Sequence, residues 1–397
     1  MCRSLDAPEW MSPPRVVCLG LRLIVDGALD RAVEGDLAGE LGVSGRHLRR
    51  MFNDHLGITP NRLAQANRLR RAARLLSETE MAVADVAYRA GFGSIRQFNR
   101  ACSALGTSPI GLRGLEDNHL VDVDTLTLRF TTSVGFVWAP IAERLRSTAV
   151  PHVEYVDSVA YRRVVVVGGI PGALEVSVPS DGQMLMRVHL NEWLELLHVV
   201  QRARSTVDPD GVDQETIQSS NVSERAEDSL VVGPRIPGLP RVWDPFELVV
   251  NATLTAHLPE SHVKAATSLL IDRYGTPVQT PIHPLLTRSF PSADKLAESD
   301  LRDFGLGSSV QDALRRVAMG FSRGLVPLTP STDMSELKAA LVGWCMIDEA
   351  CADHIATRIG MTIGESLRMR SANRGDHHPV DDHSIGDNTQ SRQPISA

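Results

Sequence analysis

Ser94-Ile95-Arg96-Gln97-Phe98-Asn99-Arg100-Ala101-Cys102 repeats, 50 positions later, the pattern of Ser44-Gly45-Arg46-His47-Leu48-Arg49-Arg50-Met51-Phe52. The match extends outward from both. Asp36-Leu37-Ala38 and then Gly42 precede the first copy, and Asp85-Val86-Ala87 and then Gly91 precede the second. Leu56-Gly57-Ile58-Thr59-Pro60 closes one, and Leu105-Gly106-Thr107-Ser108-Pro109 closes the other. The second copy holds one extra turn residue. A short helix, a turn marked by Gly and a second helix with an apolar stripe describe a helix-turn-helix. Two in tandem point to duplex DNA.

The faces of the second helices agree. Leu48 and Phe52 share one side of the first, as Phe98 and Cys102 do of the second. At about 100° per residue, Arg46 and Arg50 fall on the opposite side, as do Arg96 and Arg100. The apolar side docks on its own domain, which leaves arginines for phosphates and base edges. Arg49, Gln97 and Asn99 lie on the flanks, and with Ser44 and Ser94 these complete the candidate DNA-binding set. A single arginine-faced helix is an ordinary surface feature. A matched pair argues for a reader of double-stranded DNA.

Between the copies, Pro60 to Ser77 reads as one helix capped by Thr59. Its 18 residues rise through roughly 27 Å, about one turn of B-DNA, so both units can enter successive major grooves. With Pro8-Glu9-Trp10, Arg22-Leu23-Ile24-Val25-Asp26-Gly27 and Ser94-Ile95-Arg96-Gln97-Phe98-Asn99, the front of the chain resembles the AraC/XylS regulators, and within them the Ada-type alkylation-response proteins. The resemblance covers Pro8 to Arg113 and implies a double helix-turn-helix over 8–115. Ada-type proteins carry a zinc-bound cysteine methyl acceptor ahead of it. Here Cys2-Arg3 is the only trace, and one Cys cannot hold zinc.

Charge follows the same division. Residues 1–115 carry a net of +5 and the remainder −12, within an overall −7. A basic head on an acidic body suits phosphate contact at one end, with modest, salt-sensitive affinity. The 397 residues allow two or three domains. No run of 18 apolar residues and no signal pattern are evident, so a cytoplasmic protein without membrane contact is expected. The five cysteines, Cys2, Cys18, Cys102, Cys345 and Cys351, include no C-x-x-C pair. Neither a disulfide framework nor a metal site nor a cofactor is implied, and nothing sets an oligomeric state.

After Arg113 the pattern changes. Thr125 to Phe130, Tyr161 to Val167, Leu174 to Val178 and Met184 to Leu190 read as strands, with helices at Ile141–Ser147 and Glu192–Arg204. Residues 120–205 therefore form a small α+β unit with an antiparallel sheet. Ser205 to Arg241 reads as a linker. Helices then dominate from Val242, the first opened by Asp244 as N-cap and Pro245 at N1. Others are expected at Ser261–Tyr274, Ala293–Ser299, Val310–Ser322, Met334–Trp344 and Glu349–Ile359. Arg241-Val242-Trp243-Asp244-Pro245-Phe246-Glu247 and Ala293 to Leu301 resemble the 3-methyladenine DNA glycosylase II family. That family places a small antiparallel domain before a helix-hairpin-helix domain. The fold class is thus mainly α with a small α+β domain: 8–115, 120–205, a C-terminally incomplete helical domain over 240–361, and a disordered tail over 371–397.

The glycosylase resemblance implies base flipping, a wedge in the vacated stack and a carboxylate beside the sugar. The family's wedge loop, Leu-Gly-Gln-Gln-Val-Ser, corresponds here to Leu254-Thr255-Ala256-His257-Leu258-Pro259. His257 and Leu258 are the wedge candidates, although Leu258 reads more simply as an apolar helix-end contact. The family's Pro-Gly-Ile-Gly-Pro hairpin corresponds to Cys345-Met346-Ile347-Asp348-Glu349, which has lost both glycines and gained two acids; Asp348 reads as a helix N-cap. The position expected for the catalytic Asp is Arg370, and Glu365 is the nearest carboxylate before it. His377-His378-Pro379-Val380-Asp381-Asp382-His383 reads as a solvated cluster. The reading is a DNA-binding regulator with a glycosylase-like body that has lost catalysis. The alternative is an active 3-methyladenine glycosylase using Glu365, and a third reading makes the body a ligand sensor or dimerisation module.

Overall fold

Each copy of the repeat folds by the same local rules in a computed structural model that describes residues 14–113, 124–180, 182–208, 242–301, 306–328 and 333–359. Helix α1 spans Arg15–Val25, α2 Glu34–Glu40 and α3 Gly45–Leu56. Helix α4 spans Pro60–Glu78, α5 Val83–Arg89, α6 Ile95–Ala104 and α7 Pro109–Arg113. In the first turn the Val43 N–H bonds the Ala38 carbonyl at 2.9 Å; 49 positions on, the Phe92 N–H bonds the Ala87 carbonyl at 3.0 Å. Ser44 accepts from the His47 N–H and Ser94 from the Gln97 N–H, both at 3.2 Å, satisfying amide donors that each helix start leaves open. Thr59 caps α4 as expected, accepting from the Arg62 N–H, with Pro60 at the first position.

The central unit is a five-stranded, wholly antiparallel sheet in the order β1-β5-β4-β3-β2. Its strands are β1 (Thr125–Thr131), β2 (Glu154–Val156), β3 (Ala160–Val167), β4 (Ile170–Ser180) and β5 (Gln183–His189). Helix α8 (Trp138–Thr148) follows β1, and α9 (Leu196–Val207) follows β5. Strand β1 alternates buried Leu126, Leu128 and Phe130 with exposed Thr127, Arg129 and Thr131, the period-2 signature of a half-buried strand. Helix α9 runs past Ser205, where composition suggests a linker, because Thr206 and Val207 are buried. Asp208 then accepts from the Ser133 N–H at 2.7 Å. Residues 209–241 lie outside the described residues.

The last unit is helical: α10 (Pro245–His257), α11 (Glu260–Tyr274), α12 (Ala293–Glu298), α13 (Ser308–Ser322), α14 (Met334–Gly343) and α15 (349–359). Asp244 caps α10 as expected, accepting from the Phe246 N–H at 2.7 Å.

Among the described residues three apolar cores hold these units, and their membership departs from the domain limits that sequence suggests. Leu21, Leu48, Phe52 and Leu63 of the first helix-turn-helix unit share one core with Leu128, Tyr161, Met186, Trp193 and Val200 of the sheet unit. The helical unit has a second core, which Val150, Val153, Val164 and Ala173 of the sheet unit join. The second helix-turn-helix unit has a small core to itself, built on Leu69, Leu76, Phe92, Phe98 and Cys102.

Candidate nucleic-acid interface

The recognition helices present what the repeat demands. Leu48, Phe52 and Leu56 are the buried face of α3; Phe98, Ala101 and Cys102 are that of α6. On the opposite sides Arg46, Arg50, Arg96, Asn99 and Arg100 are all exposed. None of the four paired arginines is folded beneath another part of the molecule. Arg50 makes one local contact, to the His47 ring at 3.1 Å.

Four of the flanking candidates are already occupied. Ser44 and Ser94 cap their helices. Arg49 is held 2.9 Å from Glu34 on α2, whose carboxylate also accepts from Asn61 at 2.7 Å. Gln97 accepts from the Gly93 N–H at 3.2 Å. Gly93 is the residue by which the second copy exceeds the first, so the glutamine satisfies an amide donor that the longer turn would leave unpaired. These side chains set the helices in place, and the exposed arginines with Asn99 form the free surface.

The first unit is tied to the sheet by a polar seam as well as by the shared core. Gly57 ends α3 at φ +64°, and its carbonyl accepts from the Arg129 N–H at 3.0 Å. A Cβ at Gly57 would stand 2.8 Å from the backbone N and O of Arg129 and from the Phe130 ring. Arg204 of α9 donates to the Asp54 carbonyl at 3.0 Å, with its guanidinium 4.7 Å above the Phe130 ring. From α4, Arg70 lies 2.8 Å from Asp124, donates to the Asn191 carbonyl and sits 5.0 Å above Trp193. Burial lowers the Arg70 pKa, although the Asp124 carboxylate favours its charge.

A second polar seam joins the sheet to the helical unit. Arg163, 2 % exposed, bridges Glu154 and Glu247 beneath Trp243. Tyr161 donates to Glu154 at 2.7 Å. Burial pushes the Glu247 carboxyl up to about 7 against the pull of Arg163. His152 contacts Ser268 at 2.7 Å and Thr287 at 3.1 Å.

The glycosylase-like positions fare unevenly. His257 is exposed in the last turn of α10, whereas Leu258 packs on the helical core. Leu258 is partly buried, as the apolar helix-end reading expects, and His257 is the more accessible of the two wedge candidates. Asp348 accepts from the Cys351 N–H at 2.9 Å, the N-cap geometry expected. Met346 takes φ +56°, so the hairpin keeps a left-handed turn where glycine would be unstrained. Glu365, Arg370, Cys2, Pro8 to Trp10 and the 371–397 tail lie outside the described residues. Burial raises the Cys102 and Cys345 thiols to about 11 and also raises Cys351, which disfavours thiolate chemistry at each. Among the described residues no His, Cys, Asp and Glu cluster suits a metal ion, and no helix is long and apolar enough to cross a membrane.

Two stretches of the chain match known protein families. Residues 37–113 match the family model of a helix-turn-helix domain, and residues 125–239 match that of the AlkA N-terminal domain. The two matched segments do not overlap, so a region similar to a helix-turn-helix domain precedes one similar to an AlkA N-terminal domain. The whole chain is 28% identical over 362 residues to the probable bifunctional transcriptional activator/DNA repair enzyme AlkA of Mycobacterium tuberculosis, covering 89% of this chain and 72% of that protein. Its helix-turn-helix domain alone is 37% identical over 81 residues to an uncharacterized HTH-type transcriptional regulator, YfiF, of Bacillus subtilis, covering 20% of this chain and 26% of that one. Among solved structures, a 3-methyladenine DNA-glycosylase from Archaeoglobus fulgidus aligns at a TM-score of 0.44 with 15% identity, over 59% of this chain and 79% of that one.

Proposed function

We propose that this chain is a sequence-specific, double-stranded-DNA-binding transcriptional regulator of the alkylation-damage response, with a body of glycosylase ancestry that no longer excises bases. The observation that carries it is the matched pair of Ser-capped helices, each burying its apolar stripe and exposing Arg46 and Arg50, or Arg96 and Arg100. Helix α4 spans 19 residues, or about 28 Å, which suits two helices entering successive major grooves. The name of the mycobacterial relative, a probable transcriptional activator and DNA repair enzyme, supports placing this reader in alkylation repair. Such a reader works at the chromosome, in the cytoplasm, without cofactor.

Loss of catalysis is supported by the hairpin. A phosphate would meet Asp348 and Glu349 there, and Asp348 already serves the Cys351 N–H. The test is equilibrium binding of the full chain to duplex at moderate salt. Replacing Arg46 and Arg96 together with Ala weakens binding at least tenfold. Unchanged binding would overturn the assignment.

A further inference from the structure

We propose that Asp30 is a positioning residue that fixes the two helix-turn-helix units at one mutual angle, and so sets the spacing of duplex segments that they engage together. Asp30 ends the single helical turn Ala28–Asp30 between α1 and α2, inside the first unit. Its carboxylate takes Arg68 Nε at 2.9 Å and Arg71 at 2.6 Å, both from the middle of α4. Arg68 also donates to the Leu29 carbonyl. The same carboxylate faces the turn of the second unit. A Cβ on Gly91 would stand 2.4 Å from Asp30 Cγ and 2.5 Å from an Oδ, and Gly91 takes φ +95°.

One side chain thus touches all three parts of the reader: the first unit, the connecting helix and the second turn. A helix of this length curves only gently, so the angle between the units is set where each packs on α4, and Asp30 lies where those two packings meet. A carboxylate only 16 % exposed and held by two guanidiniums is a short, directional bracket across that joint. Gly91 leaves the space that the bracket occupies. The consequence for spacing rests on the DNA-binding reading, whereas the bracket itself does not.

The experiment uses the full chain with Cys2 and Cys351 changed to Ser and spin labels on cysteines placed at exposed positions 53 and 103. Wild type gives a narrow distance distribution between the units. Asp30→Ala at least doubles its width, and Asp30→Asn, which keeps shape but loses charge, falls between. An unchanged width in Asp30→Ala overturns the bracket; should that variant fail to fold, Arg71→Gln is measured in its place and decides in the same way. The second arm uses a duplex that wild type selects from a random-sequence pool. Inserting two base pairs between the segments read costs wild type at least tenfold in affinity and Asp30→Ala less than threefold. An equal penalty in both overturns the role in spacing. If wild type selects no duplex, the DNA reading fails, while the distance measurement still decides the bracket.

Discussion

The two helix-turn-helix units share their capping, their turn hydrogen bond and their arginine face, yet they are held in different ways. The first has its apolar side merged into the core of the sheet unit and its α3 terminus bonded to β1. The second closes a small core of its own, with α4 as its support. Local sequence dictates how each unit folds, whereas long-range packing decides how firmly each is anchored. One half of the reader shares the core of the sheet unit, and the other half rests on a core of its own.

Acid breaks this comparison most sharply. His198 on α9 lies in the sheet unit to which the first half is anchored, and burial lowers its pKa to about 4. The folded state therefore binds this proton less readily than the unfolded chain does. Its contribution to stability is whole above the ordinary histidine value of about 6.5 and is lost as pH falls from there to about 4, a loss of about 3 kcal/mol at the lower end. Urea midpoints followed at α9 fall over that window in wild type and far less in His198→Gln. An equal fall in both removes His198 as the cause.

A next test exploits the repeat itself. Gly57 and Gly106 hold equivalent places after α3 and α6, at φ +64° and +73°. A Cβ at Gly57 meets Arg129 and Phe130, whereas one at Gly106 meets nothing within 4 Å. Both alanine variants bear the strain of positive φ, about 1 kcal/mol. Gly57→Ala adds overpacking, about 2 kcal/mol more. Equal losses by denaturation would mean that the seam contributes nothing.

Native thiols sharpen the contrast further. Cys18 is buried in the shared core and Cys102 in the small one. In mild urea Cys102 reacts with a thiol reagent at least tenfold faster than Cys18, because the smaller core opens first. Matching rates would place both units in one cooperative block. The smallest effect concerns neither unit but the body on which the first is anchored. Met346 is 62 % exposed at φ +56°, so Met346→Gly relieves strain and raises stability by about 1 kcal/mol. A lowered thermal midpoint would contradict that.

The repeat, the caps at Thr59 and Asp244 and the strand alternation of β1 were legible because each depends on neighbours a few residues away, whereas Ser44 and Ser94, taken as DNA contacts, turn out to cap their helices. What Gln97 does was within reach, since the extra residue Gly93 introduces an N–H in need of an acceptor. The pairing of Arg49 with Glu34, the seam at Gly57 and the Asp30 bracket were not. Each joins residues distant in sequence through packing that periodicity does not encode. The hairpin was half legible: its missing glycines are plain in sequence, but the left-handed turn kept by Met346 is a property of the folded backbone.

The most direct test of the paired-reader account is a hydroxyl-radical footprint of the full chain on a duplex that it selects. Two protected segments should lie on one face of the duplex, their centres about 10 base pairs apart, and Arg96→Ala should erase one while sparing the other. A single protected segment in wild type, or loss of both on removing Arg96 alone, would contradict the account.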